Sequence, residues 1–534
     1  MEFDSTLITW SWIFLVVYIA GMLCIGFWGQ KKVKHADDFA VARGAYGPVF
    51  LAFAFAATTA SGATFLGGPG LAYQIGISTT WGNFLYPMGV YFGILITMRL
   101  IATSGHKFGN RSIPEYLGDR YKSDGIRIVV SVLSLILFFY VAGQLVSGIV
   151  MFETMLGLDA EYALIITTLV LLVYVVMGGA HADILTDGVQ GIMMLGLASL
   201  VIILFLFGVG VEGGLGGVLD NLKAQDENLV TPLNPESALT HSPWSIFAVL
   251  LAHIPLGLLP HLGNKLWALK GTDQQKNFVK IAFLCGITLG MMGLGGLLAR
   301  ALIGDGLLTG DLTPNASLPL LFIELFPTWL AALIGVGVLA AIMSTADGLV
   351  VSSSQVIAND LYRRSIVPYM KLDRKFSAEQ LDKQVLQISR YSTVVVLIFC
   401  GLLAWALQKV NIALIVFIGI GGMSAAFAGP LVLGALWKGV TKHGAYAGLV
   451  AGITVFIILH AELINPSWFG SEGLLFVVAS WLKGEGPNPF SCCAIGEIIG
   501  VTVTFVVSKM TKPLPKEYVD DIFGDEPSES AVGS

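Results

Sequence analysis

The sequence predicts an all-α polytopic membrane protein of about thirteen transmembrane helices. Three observations carry this. Hydrophobic residues make up 55% of the 534-residue chain and charged residues only 12%; the mean hydropathy is +0.78; and apolar runs of roughly 20 residues, the length that crosses a hydrocarbon core, recur along the whole chain. A soluble domain does not carry that balance. A β-barrel is excluded too, because the runs are continuous and long where barrel strands are short and alternating.

In chain order the spans fall at about 7–28, 46–75, 78–101, 126–156, 160–179, 183–212, 243–263, 276–304, 330–362, 386–408, 411–437, 442–463 and 490–509. The first follows the acidic residues Glu2 and Asp4 and is too long and wrongly flanked for a cleaved signal peptide, so it reads as a retained span. Span two contains Thr58-Thr59-Ala60-Ser61-Gly62-Ala63-Thr64 and then Gly67-Gly68-Pro69-Gly70. Such small and hydroxylated residues weaken a helix, and unwound backbone at membrane depth is tolerated only where it lines a cavity or binds something. Close helix packing is the bland alternative, since small residues are its usual material. Span seven breaks similarly, with Pro255, Gly257, Pro260 and Gly263 around His261.

Spans two and seven stand five apart. Two broken helices at matching positions of two five-helix halves point to an inverted-repeat transporter with its site at the midplane. The expected organisation is therefore a peripheral helix and first loop at 1–45, a first five-helix repeat at 46–212, an extracellular loop at 213–242, an inverted second repeat at 243–437, peripheral helices at 438–512, and a disordered cytoplasmic tail at 513–534, acidic and rich in Ser, Gly and Pro from Asp520 onward.

Lys and Arg are retained in cytoplasmic loops. With the N-terminus outside, the basic residues fall on the cytoplasmic side, Lys265 among them, except Lys223, Arg300, Lys409 and Lys483. The C-terminus is then cytoplasmic and the protein a multi-pass plasma-membrane protein, as in a bacterial inner membrane. No Arg or Lys is expected at the midplane. The net charge of −6 says little about partners, no nucleic-acid patch emerges, and no obligate protein partner is evident; the expected partners are a small-molecule solute and the lipid bilayer. Cys24, Cys285, Cys400, Cys492 and Cys493 lie in or beside spans without metal spacing and read as packing residues.

Span nine carries Ala341-Ile342-Met343-Ser344-Thr345-Ala346-Asp347-Gly348. A charge in lipid costs several kcal/mol, so an intramembrane Asp marks an ion or solute path by default. On a helix Ala341, Ser344 and Thr345 share one face at i, i+3 and i+4. One carbonyl and two hydroxyls converge there, and the carbonyls of Ala57 and Ala60 opposite complete five neutral oxygens suited to Na+. Hydroxyls bonding back to their own helix are the competing reading for Ser344 or Thr345 alone.

Several of these runs together resemble the sodium/solute symporter family: Ala57-x-x-Ala60-Ser61-Gly62, Gly67-Gly68-Pro69-Gly70-x-Ala72-Tyr73, Gly178-Gly179 through Thr186-Asp187, and Ala341-x-x-Ser344-Thr345 with Asp360-Leu361-Tyr362. Leu259-Pro260-His261 and Gly429-Pro430-Leu431-Val432-Leu433-Gly434 are most similar to bacterial pantothenate permeases within it. The resemblance implies a LeuT-type fold, Na+-driven uptake, and Ala57, Ala60, Ala341, Ser344 and Thr345 as Na+ ligands, with Na+ the coupling ion rather than a prosthetic group. It also matches Asp187 to an acid that serves a second cation in some members, where the other ligands are hydroxyls; this chain instead has Asp347 and Gly348. Asp187 and Asp347 are thus a candidate second cation or proton site, with a structural acceptor as the third reading of Asp347, while Asp183 is expected to cap the start of span six.

Candidate solute contacts are Thr59, Ser61, Thr64, Gln144 and His261, Gln144 standing where some relatives carry a carboxylate-binding Arg. Trp81 and Tyr86 read as interface or packing aromatics rather than gates. The function expected is Na+-coupled symport of a small organic solute, a pantothenate-like or other small carboxylate favoured, by alternating access. The alternatives are an H+-coupled symporter using Asp347 and Asp187 or, further off, an ion channel, which would want a continuous polar pore that the sequence does not show. An intramembrane enzyme is not expected, for want of a His-Glu-x-x-His zinc site or acids paired on neighbouring helices.

Overall fold

A computed structural model describes residues 5–33, 36–310 and 312–524. Those residues form helices and connecting loops, with one isolated β-bridge between Tyr46 and Leu269. Ten continuous helices are long and apolar enough to cross a membrane: Ser5–Gln30, Ile77–Phe108, Asp124–Leu156, Gly179–Phe207, Gln275–Ile303, Thr328–Tyr369, Ala378–Leu407, Ile412–Leu436, Lys442–His460 and Pro489–Met510. Two bent pairs raise the count to twelve, and the shorter apolar helix Ala160–Leu172 lies where span five is expected.

The bent pairs are spans two and seven. Pro48–Thr59 meets Ala63–Ile75 at 60°, and Pro243–Leu258 meets Pro260–Ala268 at 52°. In span two Ala60 leaves helical geometry (φ −89°, ψ 87°), and Ser61 Oγ accepts the Ala63 N–H to start the second half. At the break in span seven Pro255 and Pro260 remove backbone donors, and Leu259 is extended (φ −64°, ψ 156°), the conformation favoured before a proline.

Span six starts at Gly179 (φ 55°), a left-handed turn that favours glycine, and runs against spans one, two and nine. Its close approach to span two is set by Gly191, where a Cβ would press on the carbonyl of Phe53. Asp183, expected as a cap, stands one turn inside this helix. Cys285, Cys400, Cys492 and Cys493 are buried and Cys24 is exposed, all as free thiols.

The C-terminal segment departs from expectation. Lys516–Phe523 is a helix, with Val519 and Ile522 buried. Its Tyr518 hydroxyl donates to the Asp119 carbonyl, Asp521 pairs with Lys107 and Asp520 with Lys438 at 2.9 Å. The Lys438 ammonium holds the Asp520 carboxyl below its ordinary range. A short amphipathic face with aromatic ends outweighs the polar composition here; the remainder of the expected tail, 525–534, lies outside the described residues.

Candidate functional site

A helix that stops at Thr59 leaves its last carbonyls without intrahelical partners. Span nine and span three supply donors. Ser344 Oγ donates to the Ala57 carbonyl at 3.0 Å, Thr345 Oγ1 to the Thr58 carbonyl at 2.9 Å, and Tyr86 to the Thr59 carbonyl at 2.7 Å. The Ala341 carbonyl is 3.2 Å from Ser344 Oγ and 3.4 Å from Thr345 Oγ1. Ala57, Ala60, Ala341, Ser344 and Thr345 are all buried. Oxygens 3.0–3.4 Å apart subtend roughly 80–90° at a cation bound at about 2.4 Å, an ordinary ligand angle for a hard ion of that size. A cation held there would take the hydroxyl lone pairs of Ser344 and Thr345 in place of their bonds to the carbonyls.

Beside this set lies a cavity of about 160 Å3. Thr59, Ser61 and Thr64 line it, together with Tyr86, Tyr140, His253, Phe417 and Phe490. None of its lining residues is Asp, Glu, Lys or Arg. His253 Nδ1 is 2.6 Å from the Val249 carbonyl; since a carbonyl only accepts, that nitrogen carries the proton and Nε2 is left as an acceptor. Its ring packs against Tyr86 and Phe417 at 5.0 Å. Tyr86 thus lines the cavity and caps the Thr59 carbonyl, whereas Trp81 is exposed and donates to the Pro232 carbonyl.

Gln144 and His261 do not line the cavity. Gln144 Oε1 instead accepts the Gly62 N–H at 3.0 Å, propping the break in span two. A Gln144→Leu protein is expected to lose about 1–3 kcal/mol of stability, the cost of a buried donor left unpaired, read as a lower thermal midpoint of the detergent-solubilised chain. His261 lies edge-on to Tyr140 at 5.4 Å, in a separate small pocket with Asp183 and Lys265.

Lys265 is the residue that sequence reasoning misplaced. Assigned there to a cytoplasmic loop, it is buried to 4% exposure, with Nζ 2.5 Å from Asp187 Oδ2 and 2.9 Å from Asp183 Oδ2. This explains why Asp183 does not cap the helix. Asp187 and Asp347 do come together, but in a cluster with Asp183, and Asp183 and Asp187 are paired with an ammonium. The i, i+4 pair Asp183 and Asp187, two acids on one helix face, was the available signal that a cation must face them.

Broken helices in both halves, hydroxyls facing freed carbonyls and an adjoining uncharged cavity are the marks of a membrane carrier. Residues 39–452 match the sodium:solute symporter family, and the chain belongs to that family. It is 28% identical over 455 residues to a sodium/pantothenate symporter of Haemophilus influenzae, covering 84% of this chain and 89% of that one. It is also 28% identical to a high-affinity proline transporter of Bacillus subtilis, over 82% of this chain and 89% of the other. A solved Na+-coupled sialic acid symporter superposes with a TM-score of 0.72 at 21% identity, covering 95% and 99%. The fold is the LeuT-type arrangement, the protein is a multi-pass membrane transporter, and its coupling ion is Na+.

Proposed function

We propose that this symporter carries a small organic carboxylate, pantothenate-like in having an apolar body, into the cell together with Na+. The observation that carries the reading is the uncharged cavity lined by Thr59, Ser61 and Thr64, directly beside the Ala57, Ala60, Ala341, Ser344 and Thr345 oxygens assigned to Na+. With no Lys or Arg in the lining, the neighbouring Na+ and the start of the second half of span two are the positive ends available to a carboxylate. Pantothenate and proline, the solutes named for two relatives, both carry one. Repeats 46–212 and 243–437 would rock against each other around this site. The docked C-terminal helix sits against Lys107, Arg120 and Lys438, and that basic side supports a cytoplasmic C-terminus and an outer N-terminus.

The test is uptake by proteoliposomes holding the purified chain, over a panel of carboxylates, amino acids and sugars, under Na+ or H+ gradients. A Na+ gradient is expected to drive accumulation of a small carboxylate. Uptake indifferent to Na+ would sink the coupling, and transport confined to sugars would sink the solute class.

A further inference from the structure

Asp183, Asp187 and Asp347 are buried, and one carboxylate oxygen from each lies within 4.8 Å of the others. They come from spans six and nine, and Lys265 reaches them from the second half of span seven. An ammonium has three N–H donors and no acceptor. Lys265 Nζ has three oxygens in reach: Asp187 Oδ2 at 2.5 Å, Thr58 Oγ1 at 2.6 Å and Asp183 Oδ2 at 2.9 Å. Its donors are fully used, and Thr58 immediately follows a proposed Na+ ligand.

The cluster still carries more acid than base. Asp183 Oδ1, Asp187 Oδ1 and Asp347 Oδ2 have no hydrogen-bond partner among the described residues. Burying carboxylates costs several kcal/mol each unless they are paired or protonated, so this place favours a positive charge. The chain supplies one on its own side chain. A tethered ammonium has no translational freedom to lose and acts at millimolar effective concentration or above. A Na+ displacing it would leave a buried ammonium unpaired, itself strongly unfavourable.

We propose that Lys265 is a built-in cation paired with Asp183 and Asp187 in the cluster that Asp347 completes, so that the wild-type chain binds a single Na+, and that removing its charge opens that cluster to a second Na+. The inference rests on the reading that Ala57, Ala60, Ala341, Ser344 and Thr345 hold the coupling ion. A merely structural ion pair would stabilise the fold without setting the number of ions.

The experiment is equilibrium binding of radioactive Na+ to the purified full-length protein, which needs no knowledge of the solute. Wild type is expected to bind one Na+ per chain, Lys265→Arg one, and Lys265→Met two. Should Lys265→Met fail to fold, Lys265→Met with Asp187→Asn removes one acid along with the base and is also expected to bind two. Two Na+ in the wild type would overturn the proposal, as would one in a folded Lys265→Met protein. No Na+ bound by the wild type, or one that survives Ser344→Ala with Thr345→Ala at unchanged affinity, would instead overturn the underlying Na+ site.

Discussion

Replacing Ser344 and Thr345 together by alanine is expected to raise the Na+ concentration for half-maximal uptake by about 100-fold or more. Hydrogen-bond-type contacts to a charged partner contribute about 1.5–3 kcal/mol each, so two lost hydroxyl ligands together weaken ion binding by roughly 3–6 kcal/mol. Each tenfold step corresponds to about 1.4 kcal/mol. Alanine keeps the helix of span nine intact, so the loss falls on the ion rather than on the backbone. The same change strips the donors from the Ala57 and Thr58 carbonyls, and a modest fall in thermal stability accompanies it. Na+ titration of uptake checks the first effect; an unchanged half-saturation would move the ion away from span nine.

The second large effect is steric and reads out in the amount of folded protein. Gly93 on span three faces the carbonyl of Ile254, just before Pro255 of span seven, and a Cβ built on it would collide with that oxygen. The obstacle is backbone held by a proline-rich break, which cannot swing aside as a flexible side chain would. Gly93→Val is therefore expected to cost at least the upper end of the ~1–3 kcal/mol usual for overpacking, seen as a sharp loss of monodisperse protein after solubilisation. Gly21, whose Cβ would meet nothing within 4 Å, serves as the control and tolerates alanine. Equal behaviour of the two variants would show that spans three and seven are not in tight register.

Much of this architecture was legible because the bilayer imposes simple rules. Apolar runs of fixed length give spans, and Pro255 and Pro260 or the Ser61-Gly62 step cannot continue a helix without leaving carbonyls to be used elsewhere. The Ala341, Ser344, Thr345 face follows from helical spacing alone. What escaped reading was tertiary. Lys265 sits in Gly263-Asn264-Lys265-Leu266-Trp267, and nothing local says whether that lysine turns toward water or toward acids 78 to 82 positions away in the chain. Gln144 and His261 are polar residues on the right spans, yet one turned to a backbone N–H and the other to a separate pocket. The docked tail was hidden because charge composition suggested solvent, while Tyr518, Val519, Ile522 and Phe523 carried the docking signal at helical spacing.

The cross-links from Ser344, Thr345 and Tyr86 to the end of the first half of span two bear on the empty leg of the transport cycle. A carrier turns over only if its unloaded form can travel back, and a site made of freed carbonyls would ordinarily be left with stranded acceptors once its ion departed. Here a hydroxyl that would ligate through its lone pair, on the Na+ site proposed above, also carries a proton that covers a carbonyl. On that proposed site, release of Na+ would exchange one satisfied arrangement for another, and the return stroke would start from a sealed seam of paired hydroxyls and carbonyls rather than from stranded acceptors in the membrane interior.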